Sequence, residues 1–403
     1  MDNIKKYEGN YLPDNKDRKE RVLIGLSASI ESLVSAYLLK IQKYDLVAVT
    51  VMNSWETFSY ENKQYLSCHL NQDRLNVLKE FCLKLGISHH IVEVKDEFRE
   101  EVIEKWISDK ILGLSPNHCF NCHDLRMRIL FEKKRELNAS FLATGHYGKI
   151  FQSGSDHSIV VHSSGDEHFD QSHLLSRLPQ DILSSLLLPL ADISSKEVIK
   201  LAENFGIEPI ASHIKFNSCL LPSKEVDLLL EKNVAKSLIK EGEVLEYGVK
   251  HSLLRHDGVH HHQIGLPLSH KEQQLDSTKV MGEYFFSEKN IVLIDESLLL
   301  RDKIVLVNCQ FMRESSFIEP QKAAIKISDG VTLDCTIFPR SLSTVLVELS
   351  QQLKVVPNQK ATIFKKKGKN AKVLLSGEIK CHLADLVKEG EQSEETSHPL
   401  LDF

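Results

Sequence analysis

The strongest constraint on this 403-residue chain is the order of apolar runs in its first half. RVLIGLS (21–27) is a short apolar stretch that runs into a turn. ESLVSAYLLKIQK follows, with Leu33, Val34, Tyr37, Leu38 and Ile41 at helical spacing, and then DLVAVTVM, a second apolar run. A strand covered on both faces reads as a continuous apolar run, and two such strands joined by a helix form a parallel unit. The alternation continues. QDRLNVLKEFCLKLG predicts an amphipathic helix stopped by Gly86, ISHHIVEV a strand, EEVIEKWISDKIL and DLRMRILFEKKRELN helices, and ASFLATGHY a strand with a polar end. In SSKEVIKLAENFG, Ser194 or Ser195 can cap a helix and Glu197 can close a capping box. The pattern predicts a doubly wound α/β domain over residues 21–215, whose ligands sit beyond the carboxyl ends of the strands.

From residue 276 the texture changes. Short apolar runs such as KIVLVNCQFM, KAAIKIS, VTLDCTIF, STVLVELS, KATIFKK and KVLLSGEI are separated by turn residues, which predicts a small all-β barrel over 276–380. Residues 216–275 read as a linker domain of helix and loop, residues 1–20 as a flexible extension, and 381–403 as an acidic, disordered tail. A hydrophobic fraction of 42% and a charged fraction of 26% suit a globular protein with sizeable cores. The net charge of -6 argues against a general polyanion binder, while leaving room for a local basic patch. The N-terminus has no apolar signal core and no run has transmembrane length, so the expectation is a cytoplasmic protein, monomeric and without a membrane partner.

Two segments carry chemistry. Gly25-Leu26-Ser27-Ala28-Ser29-Ile30-Glu31-Ser32 joins the first strand to the first helix. Backbone N–H groups at such a junction can face an anion, or the segment can be a plain serine-capped turn. With a single glycine it is neither a Walker loop nor a dinucleotide fingerprint. The second segment is Ser115-Pro116-Asn117-His118-Cys119-Phe120-Asn121-Cys122-His123, which holds the closest pair among the eight cysteines. Half of a zinc site, a redox pair and a chance pairing all remain open, with His118, His123 and the run His260–His262 as further possible ligands. A dispersed cysteine packs as a small hydrophobe.

Taken in order, these segments resemble the tRNA-uridine 2-thiouridylases of the ATP-pyrophosphatase superfamily. GLSASIES resembles the pyrophosphate loop S-G-G-x-D-S: Ser27 and Ser32 match, Ala28 and Ser29 replace the glycines, and Glu31 replaces the aspartate. Pro116, Asn117 and Cys122 match P-N-x-x-x-x-C, and Ala143-Thr144-Gly145-His146-Tyr147 is present in full. Asp170-Gln171-Ser172 resembles D-Q-S, with His173 where the family has an aromatic residue. KFNSCLLP resembles the segment of the second functional cysteine, here Cys219, and RHDGVHHHQIGLPL resembles H-D-G-x-H-x-x-T-I-G. Met52 in VMNSWE matches the methionine that borders the adenine. The resemblance spans roughly residues 21–380.

The resemblance implies a fold and a reaction. The fold is an adenine nucleotide alpha hydrolase-like sheet, a small central domain and a C-terminal barrel. ATP with Mg2+, held by residues 25–32, Met52 and Gly145, adenylates the 2-oxygen of a wobble uridine. A persulfide on Cys219, loaded by a sulfur-relay carrier or a cysteine desulfurase, delivers sulfur with Cys122 as the second catalytic thiol. Asn117, His118, Cys119, His146, Asp170, Gln171 and Gln359 fall at tRNA-contacting positions. Two alternatives use the same residues. One is a paralogue that binds tRNA or carries sulfur without adenylation. The other is an iron–sulfur-dependent thiolase with Cys119, Cys122 and Cys219 as cluster ligands and Arg126 or Arg128 nearby. The departures cluster at the nucleotide loop and at tRNA cations: Gly265 is followed by Leu266-Pro267-Leu268 where the family carries arginines, and Ser328-Asp329 replaces an arginine–tyrosine pair. Lys365–Lys369 offers compensating charge, or a solvated loop.

Overall fold

The computed structural model describes residues 20–53, 58–60, 63–65, 72–153, 157–166, 168–207, 230–249, 251–268, 278–312, 319–328 and 330–380. Cys219, Asp329 and both termini lie outside the described residues.

The first half is built as its apolar runs require. β1 (Arg21–Gly25), α1 (Ile30–Ile41) and β2 (Asp45–Met52) form the opening unit, followed by the short strands β3 (Phe58–Tyr60) and β4 (Lys63–Tyr65). Then come α2 (Gln72–Leu85), β5 (Ser88–Glu93), α3 (Lys95–Phe98), a π-helical turn over Arg99–Ile103, α4 (Glu104–Ile111), α5 (His118–Glu136) and β6 (Phe141–Ala143). β7 (Lys149–Gln152) and β8 (Ile159–His162) make a hairpin, and α6 (Ser172–Leu175), α7 (Gln180–Leu183), β9 (Leu186–Leu187) and α8 (Ser195–Asn204) complete the unit. The sheet order is β5-β2-β1-β6-β9, and every pairing in it is parallel.

Alternation along the strands assigns their side chains to two cores. Val22 and Ile24 of β1, with Leu46 and Ala48 of β2, join the core on the α1/α8 side. Leu23, Val47, Val49 and Val51 join the opposite core, against Trp106, Leu125 and Met127 of α4 and α5. Both faces are therefore dry, which is why the strands read as unbroken apolar runs. Gly86 ends α2 at φ 59°, and Ser194 caps α8 with the full capping box to Glu197.

The second half departs from its expected layout. Residues 216–275, read as helix and loop, contain β10 (Gly242–Glu246) and β11 (Ser252–His256). The hairpin of β12 (Lys279–Phe285) and β13 (Asn290–Asp295), assigned with the barrel, joins that sheet instead in the order β11-β10-β13-β12. Its partner is fixed by a parallel register, Val244 against Ile291, that buries both residues. The closed barrel begins only at β14 (Leu300–Phe311). It continues through β15 (Gln321–Ile327), β16 (Thr332–Ser341), β17 (Thr344–Lys354), β18 (Lys360–Phe364) and β19 (Val373–Lys380), in the cyclic order β14-β17-β16-β15-β18-β19.

The barrel is docked on the α/β unit. Met312, Ala324, Phe364, Ala371 and Val373 pack into the same core as Leu23 and Leu142. The Ser163 N–H donates to the Ala371 carbonyl and the Ala371 N–H to Ser163 Oγ, both at 2.8 Å. No helix among the described residues is long and apolar enough to cross a membrane.

Candidate functional site

The carboxyl ends of β1, β2 and β6 converge on the two segments singled out from the sequence. At the end of β1 the loop carries side chains, Ala28 and Ser29, where glycine would leave space. Ala28 sits at φ 59°, in the left-handed region that L residues avoid. Ser29 is the N-cap of α1, its Oγ accepting from the Ser32 N–H at 3.3 Å. The Ser27 N–H donates to Ser32 Oγ at 3.3 Å, and Ser32 Oγ donates to the Ser29 carbonyl at 2.9 Å. Serine hydroxyls thus satisfy two backbone donors that an anion-binding loop would turn toward its ligand. Leu26 and Ile30 are buried in the α1-side core and Glu31 stands in the first turn of α1. Gly25 closes the strand, where a Cβ would lie 2.8 Å from a Leu130 methyl.

Gly145 packs against the first turn of α1. A Cβ there would lie 2.7 Å from the Glu31 carbonyl carbon, 2.8 Å from the Ser32 nitrogen and 2.9 Å from the Glu31 oxygen. The bare backbone after β6 is what lets the first turn of α1 approach. Met52 is half-buried at the end of β2, its carbonyl accepting from the Val94 N–H at 3.0 Å.

The cysteine pair opens α5. Cys119 lies in the first helical turn and is partly exposed; Cys122 is buried, and neither is in a disulfide. The Asn53 side-chain amide, one residue beyond β2, reaches Cys122 Sγ at 3.4 Å. Asn53 escaped the sequence reading, although its place at a strand end is where such residues occur. Of the two arginines considered, Arg128 is held by Glu101 at 2.5 Å and by Glu132 at 3.2 Å. Arg126 is half-buried and faces the interior, where its charge acts on His146.

A set of histidines surrounds these thiols. His118 is 4% exposed and neither ring nitrogen has a hydrogen-bond partner among the described residues. Burial pulls its pKa down to about 4, against the opposing influence of Cys122 and Asp109. His146 is lowered to about 3 by burial and by the His123, His173 and Arg126 charges, and its Nδ1 lies 2.8 Å from Thr144 Oγ1. His173 is lowered to about 3 by burial and by Lys326 and His123. The rings of His123 and His146 meet edge-on at 5.0 Å, and His173 meets Phe120 edge-on at 5.9 Å. His173 thus fills an aromatic position with an aromatic ring. At neutral pH His118, His146 and His173 are uncharged.

The expected tRNA-contacting residues turn largely inward. Asn117 donates from its side-chain amide to the Asn358 carbonyl at 2.5 Å, and Asn358 donates back to the Ser115 carbonyl at 3.1 Å, pinning the cysteine segment to the barrel. Asp170 is buried and accepts from the Ser164 N–H at 2.7 Å and from Ser172 Oγ at 2.6 Å. Gln171 accepts from the Tyr147 N–H at 3.0 Å, and Gln359 accepts from the Val356 N–H at 2.9 Å. The Lys365–Lys369 side chains are exposed, yet Gly368 accepts from Ser163 Oγ at 3.1 Å and Lys367 pairs with Asp334 at 2.8 Å. That loop is anchored as well as solvated.

The family model described as the tRNA methyl transferase HUP domain matches residues 20–221. The tRNA-specific 2-thiouridylase MnmA 1 of Thermoanaerobacter sp. (strain X514) is 30% identical, with 86% of this chain and 95% of that protein covered. The chain belongs to the tRNA-specific 2-thiouridylase family. A 2-thiouridylase of Clostridium acetobutylicum is 25% identical over 86% of this chain and 96% of its own length. The alignment therefore runs through the central sheet and the barrel. Among solved structures, the U34-tRNA thiolase NcsA of Methanococcus maripaludis matches at 22% identity and a TM-score of 0.35, over 59% of this chain and 74% of that one.

Proposed function

We propose that this member of the thiouridylase family is a tRNA-uridine 2-sulfurtransferase in which Cys122 handles sulfur. The observation that carries the reading is the environment of Cys122: a buried thiol near the start of α5, an amide donor from Asn53 at 3.4 Å, and His118 one helical turn away as a neutral proton acceptor. Residues i and i+4 share a helix face, so the imidazole stands beside the thiol as an acceptor for its proton, and the transfer leaves a thiolate next to an imidazolium as a charge pair.

A carbonyl oxygen is a poor leaving group, and ATP, when bound, supplies an adenylate that makes the uridine 2-oxygen displaceable. The loop from Gly25 to Ser32, with Met52 and Gly145, would hold that nucleotide, and Glu31 is the carboxylate positioned at the loop for Mg2+. The residues fit in backbone course, since Ala28 adopts the conformation glycine would supply. Cys219 is the proposed bearer of the persulfide, whose terminal sulfur would attack C2 as the C2–O bond breaks and the oxygen leaves with AMP. The Cys122 thiolate then attacks Cys219 Sγ, forming a disulfide and releasing the thiocarbonyl. A persulfide carrier or cysteine desulfurase would load Cys219. Asn117, Asp170, Gln171 and Gln359 act as positioning residues, ordering the cysteine segment, the residues after β6 and the barrel turn against which tRNA would lie.

A second reading has its own support. Serine hydroxyls occupy the Ser27 and Ser32 donors of the loop, which favours a paralogue that binds tRNA and carries sulfur without adenylation. Cys119 and Cys122 on successive turns also suit two ligands of an iron–sulfur cluster, with Cys219 as the third.

The experiment is tRNA-dependent AMP release by the full chain together with thionucleoside analysis of the tRNA. Adenylation predicts AMP stoichiometric with new 2-thiouridine, and Cys122→Ser should lose 2-thiouridine and form AMP no more than once per chain. Thiolation without AMP release, or thiolation retained in Cys122→Ser, overturns the reading. Anaerobic iron and sulfide analysis decides the cluster.

A further inference from the structure

The segment His256-Asp257-Gly258-Val259-His260-His261-His262 holds four imidazoles in seven residues, and the structure gives them separate tasks. His256 is consumed by the turn: its Nε2 lies 2.8 Å from the Lys289 carbonyl and its Nδ1 accepts the Gly258 N–H at 3.1 Å. His262 is buried edge-on to His256, with ring centroids 6.0 Å apart. His260 and His261, in the short 3-10 turn Val259–His261, have rings only 3.9 Å apart. The His260 ring lies on the bare backbone of Gly258, at φ 144°, where a Cβ would fall 2.4 Å from Cε1 and 2.6 Å from Nδ1. Its Nε2 faces Glu231 Oε1 at 3.8 Å.

We propose that Glu231, His260 and His261 form a binding site for a divalent transition-metal ion, with Zn2+ the best match. One ligand atom from each lies within 4.8 Å of the others. A tetrahedral ion with bonds of about 2.0–2.2 Å holds its donor atoms about 3.3–3.6 Å apart. The His260–Glu231 separation is too long for a hydrogen bond and close to that span. Closing the rest needs only rotation of His261 and Glu231, whose side chains are 23% and 48% exposed, about a fixed His260 at 2%. Two imidazoles and one carboxylate form a borderline donor set of net charge -1, suited to Zn2+ rather than to Ca2+ or Mg2+. Asp257 Oδ2, 3.9 Å from His261 Nε2, stands beside the open side as a second carboxylate.

The site joins two bodies. Glu231 is flanked by Leu230 and Val234, both packed in the core that α5 shares with the sheet. Val259 is packed in the core shared by the central sheet and the barrel. A bound ion would tie one to the other, twelve residues after Cys219 in the chain.

The test is Co2+ titration of the full, chelator-dialysed protein followed by visible spectroscopy and competition with Zn2+. The expected result is one Co2+ per chain with the d–d bands of a nitrogen- and oxygen-ligated four- or five-coordinate ion and no thiolate charge-transfer band. Zn2+ should displace it. Glu231→Gln and His261→Ala should each weaken binding at least tenfold, while the metal-free variants melt as the parent does. Three results overturn the proposal: no bound Co2+, a thiolate band that places the ion on Cys119 and Cys122, or unchanged affinity in both variants.

Discussion

Gly145→Ala tests how the serine loop after β1 is held. The added methyl carbon would sit 2.7–2.9 Å from three backbone atoms of Glu31 and Ser32, against the 3.5–4.0 Å of ordinary carbon contacts. Relief requires a shift of roughly 0.7 Å in backbone at the first turn of α1. That turn cannot move freely, because Ser27, Ser29 and Ser32 are cross-bonded and Leu33 and Val34 are fully buried behind it. Overpacking of this kind costs about 1–3 kcal/mol, and contact with backbone rather than a side-chain tip places it at the upper end. Gly206→Ala is the control. Gly206 has φ 63° and nothing within 4 Å, so its methyl meets only the left-handed penalty of about 1 kcal/mol. Urea unfolding at neutral pH, with slopes compared, should show Gly145→Ala losing at least 1 kcal/mol more than Gly206→Ala. AMP release should fall further than stability alone accounts for. Equal losses in the two variants would refute the argument that close backbone approach is why glycine follows β6.

The other predictions concern the same region. Ala28→Gly should leave stability unchanged or raise it by up to about 1 kcal/mol in thermal melts, since the relieved left-handed strain of about 1–2 kcal/mol exceeds the added chain entropy of glycine. Acid should destabilise the protein through its buried histidines. His173 is held down to about 3, so its contribution is fully present above pH 6.5 and is lost as the pH falls toward 3. His173→Phe keeps the ring against Phe120 and should flatten the acid limb of a stability–pH curve by a few kcal/mol at most. Asp109 is the opposite case: burial raises its pKa to about 6, so it favours the fold below pH 3.8 and loses that contribution as the pH rises through 6. Asp109→Asn should therefore stabilise the protein by about 1 kcal/mol at pH 7.5, discounted for partial exposure, and make little difference at pH 4.

Much of the fold was legible because single elements carry their own signals. The capping box at Ser194 and Glu197, the glycine stop at Gly86 and the apolar runs of β1 and β2 each have a local cause. What was not legible has partners far away in sequence. GEVLE and SLLRH carry charges on exposed positions and do not read as apolar runs, so β10 and β11 passed as loop until β13 supplied a parallel neighbour. The hairpin β12–β13 has the texture of a barrel strand, and only its pairing with β10 assigns it elsewhere.

The candidate site divides along the same line. Residue types and spacing brought out Cys119, Cys122 and the serine loop, because that chemistry is written in the side chains themselves. Asn117, Asp170 and Gln171 match a motif by name, but their hydrogen bonds run to Asn358, Ser164 and Tyr147, which no local pattern reveals. This separates two ways a polar residue can serve an RNA-modifying site. One way is to meet the substrate; the other is to fix the backbone that does. The Asn117–Asn358 pair makes the consequence concrete. It is a two-way tie between the first turn of α5 and the barrel, with Asn358 held at φ 68° to reach both partners. The tie holds the turn that carries Cys119, one turn before Cys122, against the barrel. The pair is one of the ties between the barrel and the α/β unit, beside the Ser163–Ala371 bonds and the shared core. Asn117→Ala should accordingly change the reactivity of Cys122 toward an alkylating probe more than it changes the melting temperature.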